Sequence, residues 1–413
     1  MKKKLKVVWI CHFTNDEIQK TLQPRKRTNE FAPWIPLSYN ILKNDPDLEL
    51  HIISPHTYIS GIKALTKEGI RFYFYNAHMP ITGRQWPGFF KWDYISNFRR
   101  NKLITRLLVN KIQPDIIHLH GAENAYYSST ILQFIGVYPT ILTVQGFVSK
   151  TSSKNTQLVK KRIAVEAEIL RKIKNAFYRT ATMAKDINAF NTDINLFWNN
   201  YPQKEVRLVE KAQKKFDLVF FARISKDKGI VDLIKALVII KQSKPNITLC
   251  AIGSERTKPF KLLAQEMGVA KNITWAGFLP TQDDVHQMAS QAKISVLPTY
   301  HEIVSGTILE SMLLKLPVVA YNVGSIHEIN EKDEIITLVD KLDVEGLASA
   351  INHLLEKPDV RKEKAEKGYK RAYDMFAHSD EVIRESLLTA YQQTIEEFYK
   401  YSKKYEPCRK SRF

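Results

Sequence analysis

Two glutamates, Glu302 and Glu310, stand eight positions apart in the stretch YHEIVSGTILESM. Between them lie Ser305, Gly306 and Thr307, small residues of the kind that open a helix. A carboxylate accepts hydrogen bonds from a pair of adjacent hydroxyls, so two of them could each hold a diol. The free N–H groups of a helix entrance attract an anion. Upstream, ARISKDKG places Arg223 and Lys228 in a turn between a strand pattern and a helix pattern. A guanidinium and an ammonium beside a helix amino-terminus suit a diphosphate. By spacing alone each feature also has an ordinary reading: a surface acid, a helix ion pair, a solvated basic turn.

The elements that must position these residues are legible as alternating patterns. KLKVVWI, LELHIIS, IRFYFY, DIIHLH and PTILTV read as strands in the first half, and FDLVFFA, ITLCAIG, ITWAGF, ISVLP, PVVAYN and IITLVD in the second. Apolar residues on successive positions mark strands covered on both faces. The intervening segments are long enough for crossover helices, which predicts two parallel α/β sheets in succession. The boundary is expected between Phe197 and Lys215, and DEVIRESLLTAYQQTIEEFYKY is expected to form one amphipathic helix capped by Ser379 or Asp380. Ligands of such sheets sit beyond the carboxyl ends of the strands, where the two charged stretches fall.

At 413 residues the chain suits two domains. Its three cysteines, Cys11, Cys250 and Cys408, have no metal-ligand spacing and imply a reducing compartment. No apolar run approaches a spanning helix, and the opening MKKKLKVVWICHFTN reads as a first strand, so a cytoplasmic location is expected. The formal charge of +19 favours an anionic partner without choosing among a phosphorylated substrate, an acidic lipid surface and nucleic acid.

Other chemistries lack their residues. No Gly-x-Gly-x-x-Gly follows the first strand, no Cys/His cluster suggests zinc, and no Gly-x-Ser-x-Gly elbow suggests a hydrolase. Asp45-Pro46-Asp47 precedes a strand and reads as a turn, so no metal ligand is assigned. Arg84 to Ile112 mixes aromatics with Arg and Lys; Leu103, Ile104, Leu107 and Leu108 are read as one side, with Arg99, Arg100, Lys102 and Arg106 nearby. That suits either an ordinary domain helix or an element meeting an anionic membrane surface. No nucleic-acid fold pattern accompanies it.

Arg223 and Lys228, followed by ITWAGFLPTQDDVHQMASQAKISVLPTYHEIVSGTILESMLLKLPVVA, resemble the donor-binding half of the family-four retaining glycosyltransferases of the GT-B fold. The resemblance is good from Leu218 to Ile329 and loose in the first half. It implies two Rossmann-like doubly wound domains facing a central cleft. Residues 1–205 would form the acceptor side, 206–378 the nucleotide-sugar donor domain, 379–400 a helix returning to the first domain, and 401–413 a basic tail.

The resemblance also implies roles. Arg223 and Lys228 would grip the donor diphosphate, with the amides of Ser305, Gly306 and Thr307. Glu302 would face the donor sugar, Glu310 the ribose diol, and backbone around Phe278 and Leu279 the base. In DIIHLHG, His120 matches the position near the acceptor and reacting sugar and joins Glu302 as a candidate catalytic residue. His118 is expected to turn to the other side of that strand and pack. The implied activity is transfer of a sugar from a nucleoside-diphosphate sugar to a hydroxyl of a glycan or lipid-linked acceptor, with retention and without a metal or other cofactor. Cell-surface polysaccharide synthesis, cytoplasmic or peripheral on the inner membrane face, is the expected setting. Rival readings are a GT-B nucleotide-sugar epimerase and a non-catalytic GT-B subunit. The chain departs from the family pattern at Val304, Ser305, Lys315-Leu316-Pro317 (for Gly-x-Pro), Gln145 (where His is frequent) and in the missing glycine pair after the first strand.

Overall fold

Consecutive apolar residues demand cover on both faces of a strand. In Phe216–Phe221, Leu218 and Phe220 enter one apolar cluster while Val219 and Phe221 enter another. The computed structural model describes residues 4–24, 34–78, 92–151, 155–199, 206, 213–253, 257–303, 305–376 and 380–409. The chain divides into two compact units. The first comprises Met1–Arg179, Met183–Gln203 and His378–Phe413; the second comprises Thr180–Thr182 and Lys204–Ala377.

The first unit holds β1 (Leu5–Ile10), β2 (Leu48–His56), β3 (Ile62–Lys67), β4 (Ile70–Asn76), β5 (Ile116–His120), β6 (Thr140–Thr143), β7 (Asn175–Tyr178) and β8 (Asn195–Trp198). They form one sheet in the order β3-β4-β2-β1-β5-β6-β7-β8. The second unit holds β9 (Phe216–Phe221), β10 (Leu249–Ile252), β11 (Ile273–Gly277), β12 (Ala292–Leu297), β13 (Val318–Tyr321) and β14 (Thr337–Val339), in the order β11-β10-β9-β12-β13-β14. Each sheet reverses its winding once, between β1 and β5 and between β9 and β12. Such a switch point opens a crevice at the carboxyl ends of the two strands.

Every strand expected from an apolar run is present; three others are not in that set. The β3 strand is an exposed edge, antiparallel to β4, and carries no apolar run. Glu68 and Gly69, both at positive φ, turn the chain between them. The β7 and β8 strands, NAFY and NLFW, each open on an asparagine and are not among the apolar runs read as strands. Since β8 pairs Phe177 with Phe197, the linker expected from Phe197 begins inside a strand.

Helix Asp380–Arg409 belongs to the first unit and contributes Ile383, Leu387, Ala390 and Tyr391 to its core. It continues past residue 400, where a separate tail was expected; no glycine interrupts it. Ser379, the other expected cap, lies outside the described residues. The Arg384 guanidinium grips Asp45 and donates to Asp47 Oδ2 at 2.8 Å, so the Asp45-Pro46-Asp47 turn anchors this helix.

In helix Arg99–Ile112, Leu108 is buried while Leu103 and Leu107 are exposed. The four apolar residues read as one side span an arc of about 140°, exposed at its Leu103 and Leu107 edge and buried at its Leu108 edge. Residues 84–91 of that stretch lie outside the described residues.

Candidate active site

The second unit's switch point gathers the charged residues. After β9 the chain runs through Arg223 and a short turn, Lys226–Lys228, into helix Ile230–Ser243. After β12 it runs through Glu302 into helix Gly306–Leu313. Two glycines let these loops close on their neighbours. Gly229 has φ +82°, and a Cβ there would lie 1.9 Å from the Pro298 carbonyl oxygen. Gly324 has φ +57°, and its Cβ would lie 1.6 Å from the Glu302 carbonyl oxygen.

The Lys228 ammonium donates to Glu302 Oε2 at 2.6 Å. The proposed diphosphate cation and the proposed sugar-facing carboxylate are thus partners across the switch point. Arg223 Nη2 donates to Asp227 Oδ2 at 2.6 Å, with both side chains at least half exposed. Burial pushes the Asp227 carboxyl up, but the Ser225 hydrogen bond and the Arg223 charge hold it below the usual range. The Tyr300 N–H donates to the Asp227 carbonyl at 2.9 Å, fastening one loop to the other. His301 is held below the usual imidazole range by burial first, then by the positive charge of Lys341, with Lys228 adding to it. Asp232, in the first turn of helix Ile230–Ser243, is buried and accepts from the hydroxyls of Tyr300 at 3.0 Å and Tyr321 at 2.9 Å.

Ser305 caps helix Gly306–Leu313, its hydroxyl accepting from the Ile308 N–H at 3.3 Å. The amides of Gly306 and Thr307 open the helix and have no intrahelical acceptor. The Thr307 hydroxyl donates to the Phe221 carbonyl at 3.1 Å, which ties the helix to the end of β9. Glu310 Oε2 accepts from Gln282 Nε2 at 2.6 Å and His286 Nε2 at 3.1 Å. Phe278 is 71% exposed in the loop before helix Gln282–Ala289, and Leu279 packs against an apolar cluster. Lys315, standing where the family pattern has glycine, takes the glycine-like φ of +54°. It is held there by Glu366 at 2.9 Å and lies over the Tyr369 ring. Val304 lies outside the described residues.

In the first unit His118 packs as expected, fully buried, but the face expected for it is overturned. Residues two apart on a strand share a face, and the rings of His118 and His120 stack with centroids 3.9 Å apart. Tyr391 OH accepts from Trp9 Nε1 at 3.0 Å and lies 2.7 Å from His118 Nδ1, while His118 Nε2 lies 2.6 Å from the Thr143 hydroxyl. One consistent assignment has Tyr391 donating to Nδ1 and Nε2–H donating to Thr143. Burial drives His118 well below the ordinary imidazole range, with His120 adding to it. Burial lowers His120 to about 3; it is 4% exposed, and its Nε2 has no partner among the described residues. Glu123, just past β5, was not anticipated: burial pushes its carboxyl up to about 7, with Glu166 adding and Arg162 opposing. No group of three or more His, Cys, Asp or Glu among the described residues could hold a metal.

Residues 202–371 match the family described as Glycosyl transferases group 1. The capsular polysaccharide biosynthesis glycosyltransferase CapM of Staphylococcus aureus is 25% identical over 70% of this chain and 80% of its own length. Among solved structures, sucrose-phosphate synthase from Thermosynechococcus elongatus aligns with a TM-score of 0.74 at 17% identity, over 96% of this chain and 100% of the other. HepE of Anabaena, solved with UDP, aligns with a TM-score of 0.65 at 15% identity, again over 96% and 100%. With two doubly wound units and a group 1 match across the one that bears the charged switch point, the chain is a glycosyltransferase of the GT-B fold.

Proposed function

We propose that this glycosyltransferase moves a sugar from a nucleoside-diphosphate sugar to a hydroxyl of a glycan or lipid-linked acceptor in cell-surface polysaccharide synthesis, as a family-four enzyme that retains anomeric configuration. The observation that carries the donor assignment is the Lys228–Glu302 pair at the β9/β12 switch point, beside Arg223 and the mouth of helix Gly306–Leu313. The UDP complex of HepE and the capsular role in CapM's name support the donor class and the setting.

In this reading the bond from the sugar to the diphosphate breaks, and charge develops on the leaving phosphate. Arg223, Lys228 and the amides of Ser305, Gly306 and Thr307 stabilise that charge as preorganised groups, without a metal. A donor β-phosphate displaces Glu302 from Lys228 and frees the carboxylate for the donor sugar. Glu310 takes the ribose diol, and the backbone around Phe278 and Leu279 takes the base. The departing phosphate takes the acceptor proton. His120, neutral across physiological pH, serves the acceptor and the reacting sugar as a hydrogen-bonding group.

A cytoplasmic chain resting on the inner membrane face fits the exposed Leu103 and Leu107 beside Arg99 and Arg106. Among the described residues no helix is long and apolar enough to cross a membrane.

Replacing Arg223 and Lys228 together by Ala should lower kcat/KM for the donor by roughly a thousand-fold, the scale of losing key charge-stabilising groups. Steady-state assays with chelator present check both the site and the metal-free route. Unchanged turnover in the double variant would remove the diphosphate assignment.

A further inference from the structure

Among the described residues the hydrogen bonds to the Glu310 side chain fall on one oxygen. Gln282 Nε2 and His286 Nε2 both reach Oε2, at 2.6 and 3.1 Å. The other oxygen faces the helix mouth: a Cβ built on Gly306 would lie 3.9 Å from Glu310 Oε1. Gln282 and His286 are four apart on helix Gln282–Ala289 and so share a face. A reciprocal cap between Thr281 and Asp284 sets where that helix begins.

The chemistry of His286 has a direction. Its side chain is 3% exposed, and its Nδ1 is buried with no partner among the described residues. A proton on Nδ1 would be a buried unpaired donor, which is costly. Nε2 faces the Glu310 carboxylate, which only accepts, so the assigned tautomer carries its proton on Nε2 and donates to Glu310; Gln282 Nε2 lies 3.2 Å from the same nitrogen. Two donors on one oxygen fix the plane of the carboxylate and leave Oε1, 23% exposed with the rest of the side chain, to accept from a ligand.

We infer that Gln282 and His286 are positioning residues of the nucleoside subsite, orienting Glu310 so that one carboxylate oxygen is presented to ribose hydroxyls. This rests on the reading of Glu310 as the ribose ligand. It assigns two residues of a neighbouring helix to recognition of the sugar that distinguishes a ribonucleotide from its dideoxy counterpart.

The test is a cycle between protein variants and ligand hydroxyls. Calorimetry first finds the tightest binder among UDP, GDP, ADP and CDP. Its affinity and that of its 2′,3′-dideoxy form are then measured on the full chain and on Gln282→Ala, His286→Phe and Glu310→Ala. Each positioning variant should weaken the ribonucleotide by about ten-fold and the dideoxy form by less than about two-fold, on the scale of one charge-assisted hydrogen bond. A structural role would weaken both ligands alike. If Glu310→Ala shows the hydroxyl dependence and neither positioning variant does, the inference falls and the ribose reading stands. If Glu310→Ala weakens both ligands equally, or none of the four nucleotides binds, both fall. Gln282 is only partly buried, so its variant keeps the test open should His286→Phe not fold.

Discussion

The two units solve the same topological problem with opposite electrostatics. At the second unit's switch point the polar groups are charged and reachable: Arg223 with Asp227, Lys228 with Glu302. Near the first unit's switch point they are neutral and enclosed: His118 and His120 stack under Trp9 and the terminal helix, held low by burial. The Arg223–Asp227 pair, at least half exposed, adds little to stability and is free to be spent on a ligand, while Lys228 and Glu302, 25% and 18% exposed, keep the solvent contact through which a ligand reaches them. Buried, hydrogen-bonded groups add more when satisfied and cost more when orphaned. The first unit's cluster therefore couples the strand end that bears His120 to the stability of its own fold.

The sharpest way to break this contrast is at Arg384. Replacing it by Ala strands Asp45, whose side chain is 2% exposed, without its cation. The first unit should lose about 3 kcal/mol, the scale for breaking a buried pair from one side. Arg223→Ala, although in the proposed donor site, breaks a pair that is at least half exposed and should shift the second unit by less than about 1 kcal/mol. Hydrogen exchange of β1 and β9 amides reads each unit separately, and equal losses would erase the distinction.

A pH series sharpens it further. His118 and His120 are held below their unfolded value of about 6.5 by burial. Protonation thus favours the unfolded state. Their contribution is complete above about pH 6.5 and is lost as pH falls toward the folded values, at up to about 1.4 kcal/mol per pH unit for each ring. Exchange protection of β5 should drop between pH 6.5 and 5 more steeply than that of β12; the opposite order would place the titrating burial elsewhere. Within the first unit a smaller effect than that of Arg384 is expected from Tyr391→Phe, which deprives Trp9 and His118 of a shared partner. About 1.5 kcal/mol should be lost, read by the same exchange measurement.

How much of this was legible in the residue order differs between the units. The candidate donor site lies in short charged stretches at strand ends, where residue type and spacing single out Arg223, Lys228, Glu302 and Glu310 as candidates and the family resemblance supplies their proposed roles. The histidine pair was misread because alternation has a period of two, which puts His118 and His120 on one face rather than opposite ones. Asp45 and Asp47 offered no sign of their partner, which lies on the terminal helix. Gln282 and His286 were open to inspection as an i,i+4 pair, but nothing local shows that Glu310 is what they face.

Residue order by itself determined the strands with apolar runs, the crossover helices and the places where charge meets a helix mouth. These depend on neighbours within a turn or two, where side-chain pattern and backbone preference act directly. Tertiary structure decided which groups pair: Lys228 with Glu302 across 74 positions, Arg384 with Asp45 across 339. Those pairings follow from strand order and from where a helix docks, and hydrophobic burial, which carries no direction of its own, leaves them to be settled by how whole elements pack.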